Sequence, residues 1–141
     1  WGFGRDYPNN DPKRAMEVSR KAFEYLDKND IKNATMVLLK EKGVGISRAS
    51  KIIGLSDQEN LCIYDSRVGF ALQTLTHKGE RLVKMPPSQS RMGDGGVTHT
   101  EWVRNYEHLI WITEFIRDFM NEKGCTYRIA DVEMSLFMMG K

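Results

Sequence analysis

Apolar residues recur at helical spacing in about five stretches of the chain, and no stretch sustains the alternation that is typical of a strand. The first predicted helix begins at Asp11 and Pro12, because aspartate is a favoured N-cap and proline fits the first helical position. It runs to about Lys28, and its apolar positions include Met16, Phe23 and Leu26. The pattern predicts an all-α fold, a compact helical domain without a substantial sheet.

Two further helical patterns flank a short glycine turn, Gly43-Val44-Gly45. One helix is predicted over residues 31–40, and apolar residues at helix spacing predict the next over residues 46–55. Glycine adopts positive φ without steric cost, so the turn reverses the chain sharply. The first amides of the second helix have no helical partners and form a candidate phosphate site. The polar and basic residues beside these amides are Lys42, Ser47, Arg48 and Lys51.

A polar turn and a short apolar step then lead to Tyr64-Asp65-Ser66-Arg67, where Asp65 and Ser66 form an N-cap region for another helix. Asp65 is either an N-cap alone or a functional carboxylate. Tyr64 either stacks on a base or packs inward. Arg67 either pairs with Asp65, which would keep that acid ionised at neutral pH, or contacts a phosphate.

Taken together, these motifs resemble the helix-hairpin-helix DNA glycosylase superfamily, which includes the endonuclease III and 8-oxoguanine glycosylase types. In that family a glycine hairpin is followed about twenty residues later by an aspartate that opens the next helix. Here Gly45 precedes Asp65 by 20 residues, and Tyr64 to Val68 matches the family's signature around that aspartate. The resemblance implies a catalytic role for Asp65. The ending, residues 128–141, is similar to the close of little-characterised bacterial proteins with an 8-oxoguanine-glycosylase-like fold.

One family residue is replaced in this chain. Bifunctional members place a Schiff-base lysine two residues after the second hairpin glycine, where this chain has Ser47. The resemblance therefore implies a monofunctional glycosylase, or one with rebuilt chemistry. Only about two helices precede Gly43, so the base pocket is reduced, completed by residues outside this sequence, or built by the C-terminal helices.

Beyond the signature, the chain loses its periodicity over about residues 77–99, which predicts a long surface loop or a partly disordered insertion. Thr98 or Thr100 then caps a long helix that Gly124 ends, and a methionine-rich helix follows over about residues 130–139. Methionine is an adaptable core filler, so its side chains are expected inside. Trp102 is the aromatic residue of the long helix with the best claim to partial exposure and to a base pocket. Packing is favoured for Trp1, Phe3 and Tyr7 in the N-terminal segment.

Composition narrows the candidate functions only slightly. The chain has 141 residues and a formal net charge of +2, which is compatible with a nucleic-acid partner. Cys62 and Cys125 lack metal-ligand spacing and are expected as reduced thiols, and the three histidines are too scattered to predict a metal site. No cofactor is predicted. A start at Trp1 is typical of a fragment or of a processed chain.

The sequence favours a monofunctional DNA glycosylase that binds duplex DNA and hydrolyses the N-glycosidic bond of a damaged or modified base. Asp65 is the predicted catalytic residue, and Tyr64 and Trp102 are candidates for the base pocket. The predicted DNA-binding residues are Lys42, Gly43, Val44, Gly45, Ser47, Arg48, Lys51 and Arg67. The alternative is a non-catalytic DNA-binding or protein-interaction module of a larger repair or defence assembly. We expect a cytoplasmic protein without a membrane partner, associated with the nucleoid if bacterial.

Overall fold

The computed structural model of the chain describes residues 11–88 and 92–140. Within this part of the chain, six helices and one small antiparallel hairpin follow one another in the order α1 (Pro12–Leu26), α2 (Ile31–Leu39), α3 (Ile46–Ser56), α4 (Ser66–Ala71), β1 (Thr76–His77), β2 (Glu80–Arg81), α5 (His99–Glu122) and α6 (Ile129–Met139). This mostly helical architecture confirms the predicted all-α class. Trp1, Phe3 and Tyr7 lie outside the described residues.

Helix α1 begins where the sequence predicts. The Asp11 carboxylate accepts hydrogen bonds from the amides of Lys13 and Arg14, at 3.0 and 3.2 Å, and proline stands at the start of the helix. Its buried face differs from the prediction, because Val18 and Ala22 face the core. The predicted apolar positions Met16 and Phe23 are exposed. The covered face is the one that α2 packs against, so the small residues of α1 allow a close approach.

The longest helix, α5, packs against α2, α3 and α6 and carries a large share of the core. Thr98 caps it: its hydroxyl accepts from the amide of Glu101, whose carboxylate in turn accepts from the Thr98 amide. This reciprocal capping box satisfies two amides that the helix itself leaves without partners. Gly124 follows the helix with a φ of 92°, so the residue predicted to end α5 does so by adopting the left-handed conformation.

Aromatic residues of α5 divide between its two halves. Trp102 and Tyr106 are buried in the first half, so the prediction that Trp102 is partly exposed is wrong. Phe115 and Phe119 belong to the same predicted apolar side, yet 62% and 51% of their areas are exposed. The buried residues of α5 end at Thr113, so the second half of the helix contributes little to the core.

The methionines of α6 contradict the prediction that they fill the core. Met134, Met138 and Met139 are exposed, whereas Ile129, Val132 and Leu136 form the buried face of α6.

The segment between α4 and α5 is anchored where it is described. Strands β1 and β2 form a two-residue-loop hairpin, with Lys78 and Gly79 both at positive φ. Val83 is fully buried, and the Lys84 amide donates to Asn105 Oδ1 at 2.8 Å on α5. The described part of this segment therefore packs on the helices that surround Tyr64. No helix in residues 11–88 and 92–140 has both the length and the apolar character that crossing a membrane requires.

Candidate functional site

The connector, which we define as residues 57–65, joins α3 to α4 and positions Asp65. It has no regular secondary structure over residues 61–65, so its backbone groups need partners from elsewhere. Two of these partners are side chains: the Tyr64 amide donates to Ser50 Oγ at 2.9 Å, and the Tyr106 hydroxyl donates to the Cys62 carbonyl at 2.7 Å. Helices α3 and α5 thus hold the connector from two sides.

The connector lies antiparallel to α3, because later residues of the connector contact earlier residues of the helix. A Cβ added to Gly54 would lie 2.7 Å from the Cys62 carbonyl oxygen, so these two backbones are in close contact near the end of α3. Ser50, one turn earlier on α3, bonds to Tyr64. The connector therefore runs back along α3, and the 20 residues that separate Gly45 from Asp65 in sequence do not separate them widely in space.

Helix α6 covers the connector from end to end. At one end the Ile129 amide donates to the Glu59 carbonyl at 3.2 Å. Just past the other end, in the first turn of α4, the Arg67 guanidinium carbon lies 4.6 Å from the centre of the Phe137 ring. Gly140 also lies against this end, since a Cβ there would be 2.0 Å from the Arg67 carbonyl oxygen. The middle of α6, where Glu133 is, consequently lies over the middle of the connector.

Asp65 is the N-cap of α4. Its carboxylate accepts from the amides of Arg67 and Val68, at 2.9 and 3.1 Å, in extended backbone geometry. The predicted N-cap is therefore confirmed. Asp65 is half-buried, so the same carboxylate is fixed by two backbone donors and still reaches the surface. A capping role and a functional role are compatible here.

Glu133 is the second carboxyl group of this region and is only 5% exposed. Burial, followed by the negative charge of Asp65, raises the pKa of Glu133 to about 7, while a hydrogen bond from the Ile63 backbone and the positive charge of Lys51 act in the opposite direction. Two carboxyl groups and one lysine from three helical regions thus share one electrostatic environment. Because its pKa is raised, Glu133 keeps its proton to a higher pH than an ordinary glutamate does.

The glycine turn is open on the side where α3 begins. Gly43 has a φ of 81°, as the prediction of positive φ requires, whereas Gly45 is extended with a φ of −86°. No atom lies within 4 Å of a Cβ added to Gly45, and no side chain caps the first amides of α3. Val44 is buried and anchors the turn to the core. The Arg48 guanidinium donates to the Gly43 carbonyl at 2.7 Å, which braces the turn.

The remaining predicted DNA-binding residues lie beside the glycine turn, on α3 and at the start of α4. Lys42 is exposed beside the turn, and Ser47 is half-buried in the first turn of α3. Lys51 stands one helical turn after Ser47, and its charge acts on Glu133. Arg67 is exposed at the start of α4 and lies over Phe137. Helix α3 therefore joins the glycine turn to the pair of carboxyl groups.

The two candidates for a base pocket are core residues. Tyr64 is fully buried, and its hydroxyl donates to the Lys84 carbonyl. Its ring packs edge-on against Trp102 with 5.9 Å between ring centroids, and Trp102 is itself only 8% exposed. The packing alternative for Tyr64 is therefore the one that the structure bears out. Burial raises the pKa of Tyr64, which keeps its hydroxyl neutral.

Sequence reasoning missed Glu133 as a member of the site. Its partners, Ile63 and Asp65, lie some 70 residues earlier in the chain, so no local motif joins them. The sequence nevertheless contains one signal that could have identified Glu133. Glu133 stands one position after Val132 and three before Leu136, so a charged residue lies on the buried side of α6, where it needs a polar partner.

The two cysteines are free thiols, as predicted. Burial raises the pKa of Cys62 to about 12, so this thiol is a packing residue rather than a nucleophile. In the part of the chain that the structure describes, no group of three or more histidine, cysteine, aspartate or glutamate side chains has the arrangement of a metal site. Among known proteins, the chain matches no family model, no curated protein and no solved structure.

Proposed function

We propose that this chain is a DNA base-excision glycosylase that binds duplex DNA through a helix-hairpin-helix formed by α2, the glycine turn and α3. Asp65 hydrolyses the N-glycosidic bond of a damaged or modified base. The single observation that carries the proposal is the return of the connector along α3, from Gly54 opposite Cys62 to Ser50 bonded to Tyr64. This return joins a half-buried carboxylate to the helix that begins at an open glycine turn.

The glycine turn suits the DNA backbone rather than the bases. Its uncapped amides and the positive end of the α3 dipole favour an anion, and Lys42 adds a cation beside them. Such groups contact phosphates and carry no sequence information, so binding is expected to be strong in low salt for all sequences alike. The open space around Gly45 lets a backbone phosphate come close to those amides.

Asp65 suits the chemistry of glycosidic bond cleavage. As the bond breaks, positive charge develops on the sugar, and a fixed carboxylate stabilises that charge or activates the attacking water. The amides of Arg67 and Val68 hold the Asp65 carboxylate in one orientation, so little reorganisation is needed in the transition state. The base must leave the helical stack before the reaction, as in other enzymes that act on bases.

Ser47 makes this a monofunctional enzyme in our proposal. β-Elimination at an abasic site normally passes through a Schiff base with a lysine, and Ser47 occupies the family position of that lysine. Lys51, one turn further along α3, is instead the positive charge that acts on the Glu133 carboxyl group. The product is therefore an abasic site in an intact strand.

A panel of duplexes, each with one lesion, tests the proposal. We expect at least one duplex to acquire alkali-labile sites while its strand stays intact without alkali. Asp65→Asn should abolish this signal and retain DNA binding, because asparagine caps a helix nearly as well as aspartate. Glu107→Gln, which changes an exposed acid of α5, is the matched control and should cleave as wild type does. If no duplex of the panel released a base, the result would contradict the proposed glycosylase activity.

A specific surface favours the second candidate function, a protein-interaction module. The rings of Trp111 and Phe115 are stacked with 6.2 Å between centroids on the outer side of α5, and each side chain is 62% exposed. Adjacent exposed aromatic residues are typical of protein interfaces. The salt dependence of DNA binding separates the two functions, since phosphate contacts release counterions and give a steep dependence. Weak binding that salt leaves unchanged would favour the module.

A further inference from the structure

A cleft lies where α1 and α3 end and α2 begins, at the end of α3 that is opposite the glycine turn. Its volume is about 760 Å³, and its wall comes from α1, α2, α3, the connector and α5. This volume falls within the range of roughly 300–1,000 Å³ that is typical of small-ligand sites. Helix α3 has 11 residues, so about 16 Å of helix separates the cleft from the turn.

Apolar side chains form one part of the cleft wall. Leu61 and Ile110 are buried, while Leu26 and Ile31 are half-buried against the same core. Phe23 adds an aromatic ring that is 39% exposed. An apolar group that enters the cleft leaves water to contact these side chains, which is favourable. This part of the wall therefore suits a ligand with an apolar stem.

The charged residues of the described cleft wall are all acids. Asp27 follows α1, Asp57 follows α3, and Glu114 lies on α5. Glu114 already forms an ion pair with Arg117, with 3.4 Å between nitrogen and oxygen. Within residues 11–88 and 92–140, the Asp57 carboxylate accepts only from neutral amide groups of the connector, and the Asp27 side chain makes no hydrogen bond or ion pair. Two negative charges of the cleft therefore lack a cationic partner in this part of the chain.

Two helix ends add to the negative potential of the cleft. Helices α1 and α3 both end at its wall, and neither carries a basic residue in its last turn. The carbonyl groups at the end of a helix carry the negative end of its dipole, which favours a cation. Helix α2 begins at the same wall, but the Asp30 carboxylate caps it by accepting from the Asn33 amide at 3.0 Å. The positive end of α2 is therefore met by an acid of the chain itself.

We propose that this cleft binds a small organic cation, whose ammonium group lies near Asp27 and Asp57 and whose apolar stem packs against Phe23 and Leu61. The inference goes beyond the proposed function and does not depend on it, because no residue of the cleft wall belongs to the predicted DNA-binding or catalytic set. An anion would meet acids, with no base among the described residues of the wall. A wholly apolar ligand would displace water from the carboxylates without replacing its hydrogen bonds. An ammonium group supplies both the positive charge and the donors.

Titrations followed by the amide chemical shifts of isotope-labelled protein test the charge requirement. The probe is phenethylammonium, and the matched compounds are phenethyl alcohol, which is neutral, and phenylacetate, which is an anion with the same ring. We expect phenethylammonium to saturate the shifts of the Asp27, Ser56 and Leu61 amides with a Kd on the order of 1 mM, as a ligand of its size can. The alcohol should bind more weakly by a factor of about three or more, and phenylacetate should not saturate the protein.

Variants of the cleft assign the two parts of the ligand. Asp27→Asn and Asp57→Asn should each weaken binding of phenethylammonium about threefold and leave the alcohol unchanged, because each removes one negative charge from the wall. Phe23→Ala should weaken both compounds roughly fivefold, because they share the ring that packs on Phe23. Glu80→Gln changes an exposed acid of the β1–β2 hairpin, outside the cleft wall, and should alter neither affinity.

Three results would overturn the inference: equal affinities for phenethylammonium and the alcohol, shifts that do not saturate, or an unchanged affinity for phenethylammonium in both aspartate variants. Each of them leaves the proposed function in place, because the lesion duplexes are not bound at this cleft. A protein that released no base from any duplex would in turn leave binding of the cation standing. If Asp57→Asn failed to fold, Asp27→Asn and Phe23→Ala would decide the question.

Discussion

The connector and the glycine turn are built in opposite ways, although the same helix, α3, joins them. Buried side chains of α3, α5 and α6 bond the backbone of the connector, and α3 contacts it at Gly54 without room for a methyl group. The turn is held by Val44, by the Arg48 guanidinium and by an ion pair from Arg14 to Glu41 at 2.5 Å, and its α3 side is open. A reacting carboxylate needs a fixed position, whereas a phosphate-binding turn needs access.

Gly54→Val tests the tight side of this comparison and has the largest expected effect. The new side chain meets the carbonyl group of Cys62, which is backbone and cannot rotate away. We expect a loss of ~4 kcal/mol in the free energy of unfolding, or a failure to fold. Gly45→Val is the matched control in the turn, where a Cβ has open space, and it should cost no more than ~1 kcal/mol. Equal losses in urea unfolding would contradict the comparison.

Glu133→Gln tests whether Glu133, the buried acid of α6, has a raised pKa where α6 covers the connector. The pKa of Glu133 is about 7 in the folded protein against an ordinary value of 4.5, so the folded state binds more protons between these two pH values. Its contribution to stability is therefore complete below about pH 4.5 and is lost as pH rises to about 7, with a total of up to ~3 kcal/mol.

We expect Glu133→Gln to lack this component and to be more stable than the wild type above pH 7. Chemical unfolding at pH 5 and at pH 8 measures the difference directly. A stability difference between the two proteins that is the same at both pH values would show that Glu133 titrates as an ordinary acid.

Asp65→Ala should have an intermediate effect on folding. It removes the cap that accepts from the amides of Arg67 and Val68, which costs ~1 kcal/mol, whereas Asp65→Asn keeps an acceptor and should stay within ~0.5 kcal/mol of the wild type. Thermal unfolding of the two variants separates capping from chemistry. If Asp65→Asn proved as unstable as Asp65→Ala, loss of activity in it would say nothing about catalysis.

Arg48→Ala should have the smallest effect on stability, ~0.5 kcal/mol, because the bond from Arg48 to the Gly43 carbonyl is exposed to water. Its effect on DNA affinity should be larger, since the variant loses both a cation and a brace of the turn. Lys13→Ala, at an exposed position near the start of α1, is the control for loss of one positive charge. Unchanged DNA affinity in Arg48→Ala relative to this control would exclude Arg48 from the interface.

Local rules of sequence account for the helix starts. Asp11, Asp65 and Thr98 bond amides two or three residues ahead, so a short window contains both partners. The turn at Gly43 and the helix end at Gly124 could also be predicted from sequence, because each glycine takes a positive φ that other residues avoid. The burial of individual residues along α5 and α6 could not be predicted as well from sequence. Periodicity identifies the apolar face of a helix, but it does not say which residues of that face other elements cover, and Phe115 and Met134 are exposed.

Part of the candidate site could be recognised only from three-dimensional contacts. The turn and Asp65 could be predicted from spacing, yet the return of the connector along α3 depends on Gly54 fitting against Cys62, which sequence alone does not reveal. Tyr64 shows the same limit, since its place beside Trp102 and under Lys84 is set by segments about 20 and 40 residues later in the chain. Glu133 required both a buried helix face and the position of Asp65.

The most direct test of the account is the single-turnover rate of base release as a function of protein concentration, on whichever lesion duplex the wild type cleaves. We predict that Asp65→Asn saturates the DNA at wild-type concentrations and releases no base. Arg48→Glu should need more protein for saturation and then release base at nearly the wild-type rate. Two results would contradict the proposal that the connector supplies the reacting carboxylate and the turn binds the DNA. One is release of base by Asp65→Asn at the wild-type rate, and the other is an Arg48→Glu protein that binds as tightly as the wild type.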